Sequence, residues 1–303
     1  MKTVFDEIEY GTVESLGDFF KQLPSLDVKI KENIFYRGQS NAKYKLTPSV
    51  FRNRNLKNEN KIYSDIMTEC SQEFEDVKLH NEILSKMQHY GVQTRLLDVT
   101  VNALVALYFA CEGNKNEDGA VFVIKAKDNE IKQYDSDVIS ILSSLPRFNV
   151  DEKKDIKKLA EKAKCKIDKI VPPKASSIDI EIAIFNEDPL IKRLLHEIRK
   201  EKPAFENIIN PCDLLNNYFF TPRKNNARII RQSGAFMIFG LGNEEFEVEE
   251  YAERDSDKSY KIIIGRDHKE TIIKQLSVCG ISKATLHPEL YKVAEYIKEK
   301  YNN

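Results

Sequence analysis

Three short segments set charged and amide side chains among apolar neighbours, where their types could do chemistry. In Phe35-Tyr36-Arg37-Gly38-Gln39-Ser40 an arginine closes a β-prone run and a glycine follows at once. A guanidinium fork clasps phosphate or carboxylate bidentately, and glycine lets a backbone or a ligand come close. An arginine paired with a nearby acid at a strand end is the plainer alternative. The second segment is Gln88-His89-Tyr90-Gly91-Val92-Gln93-Thr94-Arg95-Leu96-Leu97-Asp98-Val99-Thr100. Asp98 lies three residues after Arg95 and could fix that guanidinium, or with Thr100 it could cap the helix that follows. His89 could orient a ligand or move protons near neutral pH, or simply satisfy one hydrogen bond in the core. In the third segment, 226–236, a strand of period two would put Arg228, Ile230, Gln232 and Gly234 on one face. Arg228 and Gln232 would then help form a polar site, with Gly234 leaving room for a ligand ring. A half-exposed strand bulged at Gly234 is the alternative.

These segments need a frame of helices and strands to hold them. Residues 14–23 read as a short amphipathic helix stopping at Pro24, and 34–36 as a short strand leading into Arg37. Ile62, Ile66, Cys70, Phe74 and Val77 recur at helical spacing over 59–78. Asn102 caps a helix over 103–111 that is apolar nearly all round and therefore buried. A polar turn follows, then a continuous apolar strand over 120–124. Strands are expected again over 228–240 and 260–264, separated by an acidic turn over 243–257. Amphipathic helices over 269–279 and 289–301 flank a short strand at 283–286.

The middle differs. Residues 151–170 carry eight Lys and five acids, with Ile156, Leu159, Ala163 and Ile167 on one face of a solvated helix. Asp188 caps a further helix over 188–200, with Pro189 in its first turn. Residues 127–202 therefore read as a helical insertion with thin apolar content. The fold class is α+β: a split, mixed β-sheet core packed by helices, formed by 1–126 and 203–303, with the insertion at 127–202.

Composition bounds the function. The chain has 303 residues, 47 Lys+Arg against 48 Asp+Glu, 41% apolar and 31% charged residues. Those values belong to a globular chain burying roughly three-quarters of its unfolded surface, and exclude a disordered or globally basic one. No apolar run approaches the roughly 20 residues that span a bilayer, and residues 1–10 lack a secretory signal pattern. Five scattered cysteines with no C-x-x-C spacing indicate neither disulfides nor a zinc site, with Cys111 and Cys279 read as core residues. A cytoplasmic protein without membrane contact is expected. The acids gather in 243–257 and the lysines in 151–170, whereas the motif segments contribute Arg37, Arg95, Arg228 and Arg231 with Asp98 among them. A local cationic cleft for one phosphorylated ligand fits this distribution.

Four blocks in order resemble one family. Phe35-Tyr36-Arg37-Gly38, the 88–98 block, Asn102 with Leu104-Val105-Ala106-Leu107-Tyr108-Phe109-Ala110, and Arg228 through Gln232-Ser233-Gly234-Ala235-Phe236 are similar to the FRG domain, named for its Phe/Tyr-Arg-Gly motif. Gly280-Ile281 and 284–290 look like that family's end. The similarity covers about 14–125 and 222–298, and departs from the family where Val99 replaces a usual Trp and Glu289 a common Asp. It implies a bacterial or phage-associated setting and names a domain without fixing an activity.

Residue order together with the resemblance leads to an NAD-dependent ADP-ribosyltransferase-like enzyme or NAD glycohydrolase, in a toxin or phage-defence effector. Arg37, His89 and Glu289 are the expected catalytic residues. Arg37, Gly38, Gln39, Tyr90, Thr94, Arg95, Asp98, Arg228 and Gln232 are expected to bind NAD, with Tyr90 or Tyr108 as the stacking ring and Arg95 on the pyrophosphate. No metal is expected. Glu289 could equally serve the first turn of the last helix. The absence of a G-x-G-x-x-G after a strand disfavours a dehydrogenase. A nucleotide- or phosphate-sensing, protein-binding module is the first alternative, and a nuclease or phosphohydrolase the second. Expected partners are a nucleotide, an acceptor macromolecule (protein or nucleic acid), and an antitoxin or defence-system partner.

Overall fold

A computed structural model of the chain describes residues 12–24, 33–52, 55–170, 175–247, 258–289, 293–294 and 297–298. Seven strands form one mixed sheet: β1 (Asn33–Gln39), β2 (Leu96–Thr100), β3 (Gly119–Ala126), β4 (Ile131–Lys132), β5 (Tyr218–Phe220), β6 (Gly234–Ile238) and β7 (Tyr260–Ile264). Their spatial order is β4-β5-β6-β2-β1-β3-β7, antiparallel throughout except for the parallel pair β4–β5. The architecture is α+β.

The sheet curls. Phe35 on β1 and Phe219 on β5 lie three strands apart, roughly 14 Å at about 4.8 Å per strand. Yet their rings stack with centroids 4.6 Å apart. The concave face closes on Phe35, Leu97, Val99, Phe122, Phe219 and Met237, with Leu46 plugged in from the loop after β1. Outside, helix Ala103–Cys111 packs on β1 and β3, as its all-round apolar sequence demands. Asn102 caps it by accepting from Leu104 N–H at 3.0 Å.

The central block is part of this core. Parallel strands cannot be joined by a hairpin, so β4 and β5 require a crossover. Here it runs through helices Asp137–Ser144, Val150–Asp168, Ala175–Asn186 and Pro189–Arg199. Asp188 caps the last of these, accepting from Leu190 N–H at 2.8 Å. Ile139, Leu142, Phe148, Ile156, Leu194 and Ile198 bury against Leu84, Met87, Leu96 and Phe236. The helical insertion, thin in apolar content as it is, thus supplies an edge strand and a face of the main core. The apolar stripe of helix Val150–Asp168 is only four residues wide, so composition alone conceals it.

Several local expectations change. Residues 227–231 form a helical turn, not a strand: Asn226 accepts from Arg228 N–H at 2.8 Å, and Ser233 at φ +47° ends the turn before β6. Ile229-Ile230 suggests β by propensity, but the cap outweighs it. Lys283–Leu286 is likewise helical, capped by Ser282. Helix Glu59–Glu69 ends at Cys70 and continues only as a 3-10 turn, leaving Cys70 exposed. Cys111 is buried as expected, whereas Cys279 is exposed past the end of its helix. The helix expected over 289–301 lies largely outside the described residues, as do residues 1–10 and much of the 243–257 turn.

Candidate functional site

β1 and β2 share a single ladder pair, Tyr36 with Thr100, whereas β1 pairs with β3 along its whole length. Arg37 enters where the first pairing stops. Its Nη1 donates to the Asp98 carbonyl at 2.5 Å in place of a ladder bond and lies 3.9 Å from Asp98 Oδ2. A cleft of about 390 Å³ opens at this split. Arg37, Arg52 and Arg228 line it with Gln39, Asp98, Glu112 and Gln232, and Tyr36, Tyr44 and Phe109 supply aromatic walls.

A chain of hydrogen bonds explains the spacing of the 88–98 motif. Buried Thr94 accepts the Leu96 N–H at 3.1 Å, so its hydroxyl proton turns to Gln88 Oε1 at 2.5 Å. That fixes the Gln88 amide with its NH₂ outward, donating to Asp98 Oδ2 at 2.9 Å and the Leu96 carbonyl at 3.2 Å. Asp98, thus oriented, faces Arg37. Thr94→Val keeps the shape but leaves the Leu96 N–H buried and unpaired. Urea unfolding should show it less stable by about 1–3 kcal/mol.

Electrostatically the cleft sets three guanidiniums against two acids, Asp98 and Glu112. Burial draws the Arg37 pKa down, Asp98 opposes this and Arg52 adds to it, but a guanidinium stays charged. Arg52 is anchored by Nε and Nη2 to the Thr47 carbonyl at 3.0 and 2.6 Å. Two buried atoms of residues that line this space lack protein partners: Arg37 Nε, a donor, and Gln39 Oε1, an acceptor. Glu112 Oε1 accepts from Tyr108 Oη at 3.1 Å, and its Oε2 lies 3.8 Å from His287 Nε2. Burial pushes the Glu112 pKa up, but His287, Tyr108 and Lys283 outweigh it and keep the carboxyl ionised.

The other expected site residues divide. Gln39, Asp98, Arg228 and Gln232 join Arg37 in the cleft, and Thr94 acts one bond behind Gln88. Gly38 also lines the cleft, and it lets the helix come close: a Cβ there would lie 1.7 Å from the Ala106 carbonyl oxygen. Gly234 begins β6 in ordinary contact with Ile229 and lines only a side slot. Arg95 does not reach the cleft, nor does Asp98 hold it. It is fully buried on Glu59, with Nε–Oε1 at 3.0 Å and Nη2–Oε2 at 2.6 Å, and donates to the Phe239 carbonyl at 2.9 Å. Neither expected ring stacks in the cleft: Tyr90 is 67% exposed outside it, and Tyr108 is buried in the core. His89, at the end of helix His80–His89, and Glu289 adjoin the cleft instead of lining it, with Nε2 and Oε1 3.9 Å apart.

Arg52, Gln88, Glu112 and His287 were missed as site residues. Glu112 carried a signal, an acid directly after a wholly apolar helix. Arg52 carried none, since only the turn Ser49–Phe51 brings it in. Among the described residues no three His, Cys, Asp or Glu converge as metal ligands, and no helix is long and apolar enough to cross a membrane.

Comparison with protein families matches residues 32–119 to the FRG domain. That segment holds β1, the Arg37 motif, the 88–98 network and the buried helix with Glu112. No curated protein and no solved structure matches the chain.

Proposed function

Taking the FRG domain of residues 32–119 as the premise, we propose that the chain is an NAD-consuming enzyme of the ADP-ribosyltransferase type, with the β1–β2 cleft as its active site. The observation that carries this reading is a cleft lined by three guanidiniums, of whose wall residues Arg37 and Gln39 each keep a buried polar atom, Nε and Oε1, without a partner. Buried polar atoms without partners cost free energy, so their persistence at a cleft wall points to a ligand that satisfies them. Such a ligand offers an acceptor oxygen beside an O–H or N–H donor, together with phosphates for Arg52 and Arg228. A dinucleotide carrying a carboxamide, ribose hydroxyls and a pyrophosphate fits, with the aromatic walls taking a ring.

The residues then divide the work. Breaking the bond between ribose C1′ and the nicotinamide nitrogen sends the electron pair to that nitrogen and leaves positive charge on the sugar. Glu112, held ionised by Tyr108 and His287, is the cleft carboxylate suited to stabilise that charge. Asp98 keeps Arg37 in place. A cytoplasmic toxin or phage-defence effector, restrained by an antitoxin or a defence partner, is the setting the resemblance suggests for this activity.

The test is nicotinamide release from NAD by the purified chain, with NAD affinity measured by calorimetry. Arg37→Ala should weaken binding roughly 10- to 100-fold, the loss of a charge-assisted hydrogen-bonding group. Unchanged affinity would remove Arg37 from the site. Binding without nicotinamide release would make the domain a nucleotide sensor.

A further inference from the structure

The groove does not end at the arginine cleft. A slot of about 80 Å³ continues from it, sharing Asp98, Arg228 and Gln232 as walls. Ser85, His89 and Ile229 border its far side, and the same three residues border an outer hollow of about 390 Å³. His89 therefore stands between the cleft and a second opening. At about 30 Å³ per molecule the slot takes roughly two or three waters, and it is too small for a nucleoside.

The surroundings of His89 suit a proton acceptor. Glu289 brings Oε1 to 3.9 Å of Nε2, and its Oε2 is buried without a partner. The Tyr90 ring meets the imidazole edge-on at 5.1 Å. Burial and Arg228 lower the imidazole pKa while Glu289 opposes them, so the ring is neutral near pH 7. A neutral ring can accept a proton, and the carboxylate beside it stabilises the cation that results.

We propose that the acceptor is water: His89, backed by Glu289, takes a proton from a water in the slot as that water attacks the ribosyl carbon held in the arginine cleft. The inference rests on the NAD reading above. The carbon–nitrogen bond breaks, its electron pair neutralising the nicotinamide ring. The water oxygen forms the new carbon–oxygen bond, its proton passes to His89, and the imidazolium returns that proton to solvent through the outer hollow. The products are nicotinamide, ADP-ribose and one proton. Glu289 is a positioning residue in this scheme.

The experiment incubates the full chain with NAD and measures nicotinamide and free ADP-ribose together. Free ADP-ribose in amounts equal to the nicotinamide released is the expected result. His89→Ala and His89→Gln should each lower kcat about 100-fold or more while retaining NAD affinity, which also reports that they fold. Added imidazole should restore part of the alanine variant's rate. Glu289→Gln should lower kcat and leave KM unchanged. Nicotinamide release with ADP-ribose attached to a macromolecule, or full turnover by both His89 variants, overturns the water acceptor and leaves the NAD reading standing. No nicotinamide release by the unaltered chain overturns the NAD reading itself.

Discussion

Glu59→Ala should lower the unfolding free energy by about 3–5 kcal/mol, because it strands two buried cations. Glu59 is 3% exposed in helix Glu59–Glu69. It meets Arg95 from the strand side and Lys153 from the central helical block, with Lys153 Nζ–Oε2 at 2.5 Å. The acid therefore binds three parts of the fold into one body. Burial pushes its pKa up, but Arg95 and Lys153 outweigh burial and hold it below the usual carboxylate range. A depressed carboxyl pKa contributes stability that is present above the unfolded value of about 4.3 and lost as pH falls through the folded value. Urea unfolding from pH 7 down to acid should show that loss in the unaltered chain. Replacing all three residues together, Glu59→Leu with Arg95→Met and Lys153→Met, should be far milder than the single change and blunt the acid limb, since no charge is left unpaired. A triple variant no more stable than Glu59→Ala would refute this account.

Gly38→Ala should cost at least about 3 kcal/mol, beyond the usual range for an added methyl. The added carbon would lie 1.7 Å from the Ala106 carbonyl oxygen, 2.7 Å from its carbon and 2.8 Å from Ala110 N. All three are backbone atoms of the buried helix, so no side chain can swing aside. Gly119 on β3 meets the same helix at the Ala110 carbonyl oxygen, 2.2 Å from where its Cβ would stand. The helix thus rests directly on the backbone of two neighbouring strands. The control is Gly91→Ala, at φ +82° with no atom within 4 Å of the new carbon. It carries only the left-handed backbone penalty, about 1–2 kcal/mol. Thermal or urea unfolding of the two variants side by side separates steric from conformational cost. Equal effects would mean the helix can withdraw from β1.

The Arg-Gly dipeptide thus combines two separate jobs. Arg37 faces the cleft and holds the split between β1 and β2, whereas Gly38 lets the helix carrying Phe109 and Glu112 come close enough to form the cleft's wall. Losing the glycine would harm the site only through the fold, and losing the arginine the reverse. The two variants should therefore separate in a plot of NAD binding against stability.

What the sequence determined by itself is local. The Asn102 and Asp188 caps, the buried helix over 103–111 and the strand β3 depend on partners within about four residues or on an uninterrupted apolar run, so their signals sit in short windows. Arg37, Asp98, Arg228 and Gln232 stood out in the sequence and do line one cleft, although Arg228 and Gln232 come together through a helical turn and not the expected strand face. Pairing was not legible. Arg95 had Asp98 three residues away yet chose Glu59, 36 residues earlier, because extended backbone turns residues an odd number apart to opposite faces. Asp98 was left to Arg37 and Gln88. Arg52 reached the cleft through a turn, and Glu289 reached His89 across 200 residues. Any of 48 acids could in principle meet a given arginine. Only the tertiary structure selects among them, because an ion pair is decided by which elements become neighbours in space, and distance along the chain does not encode that.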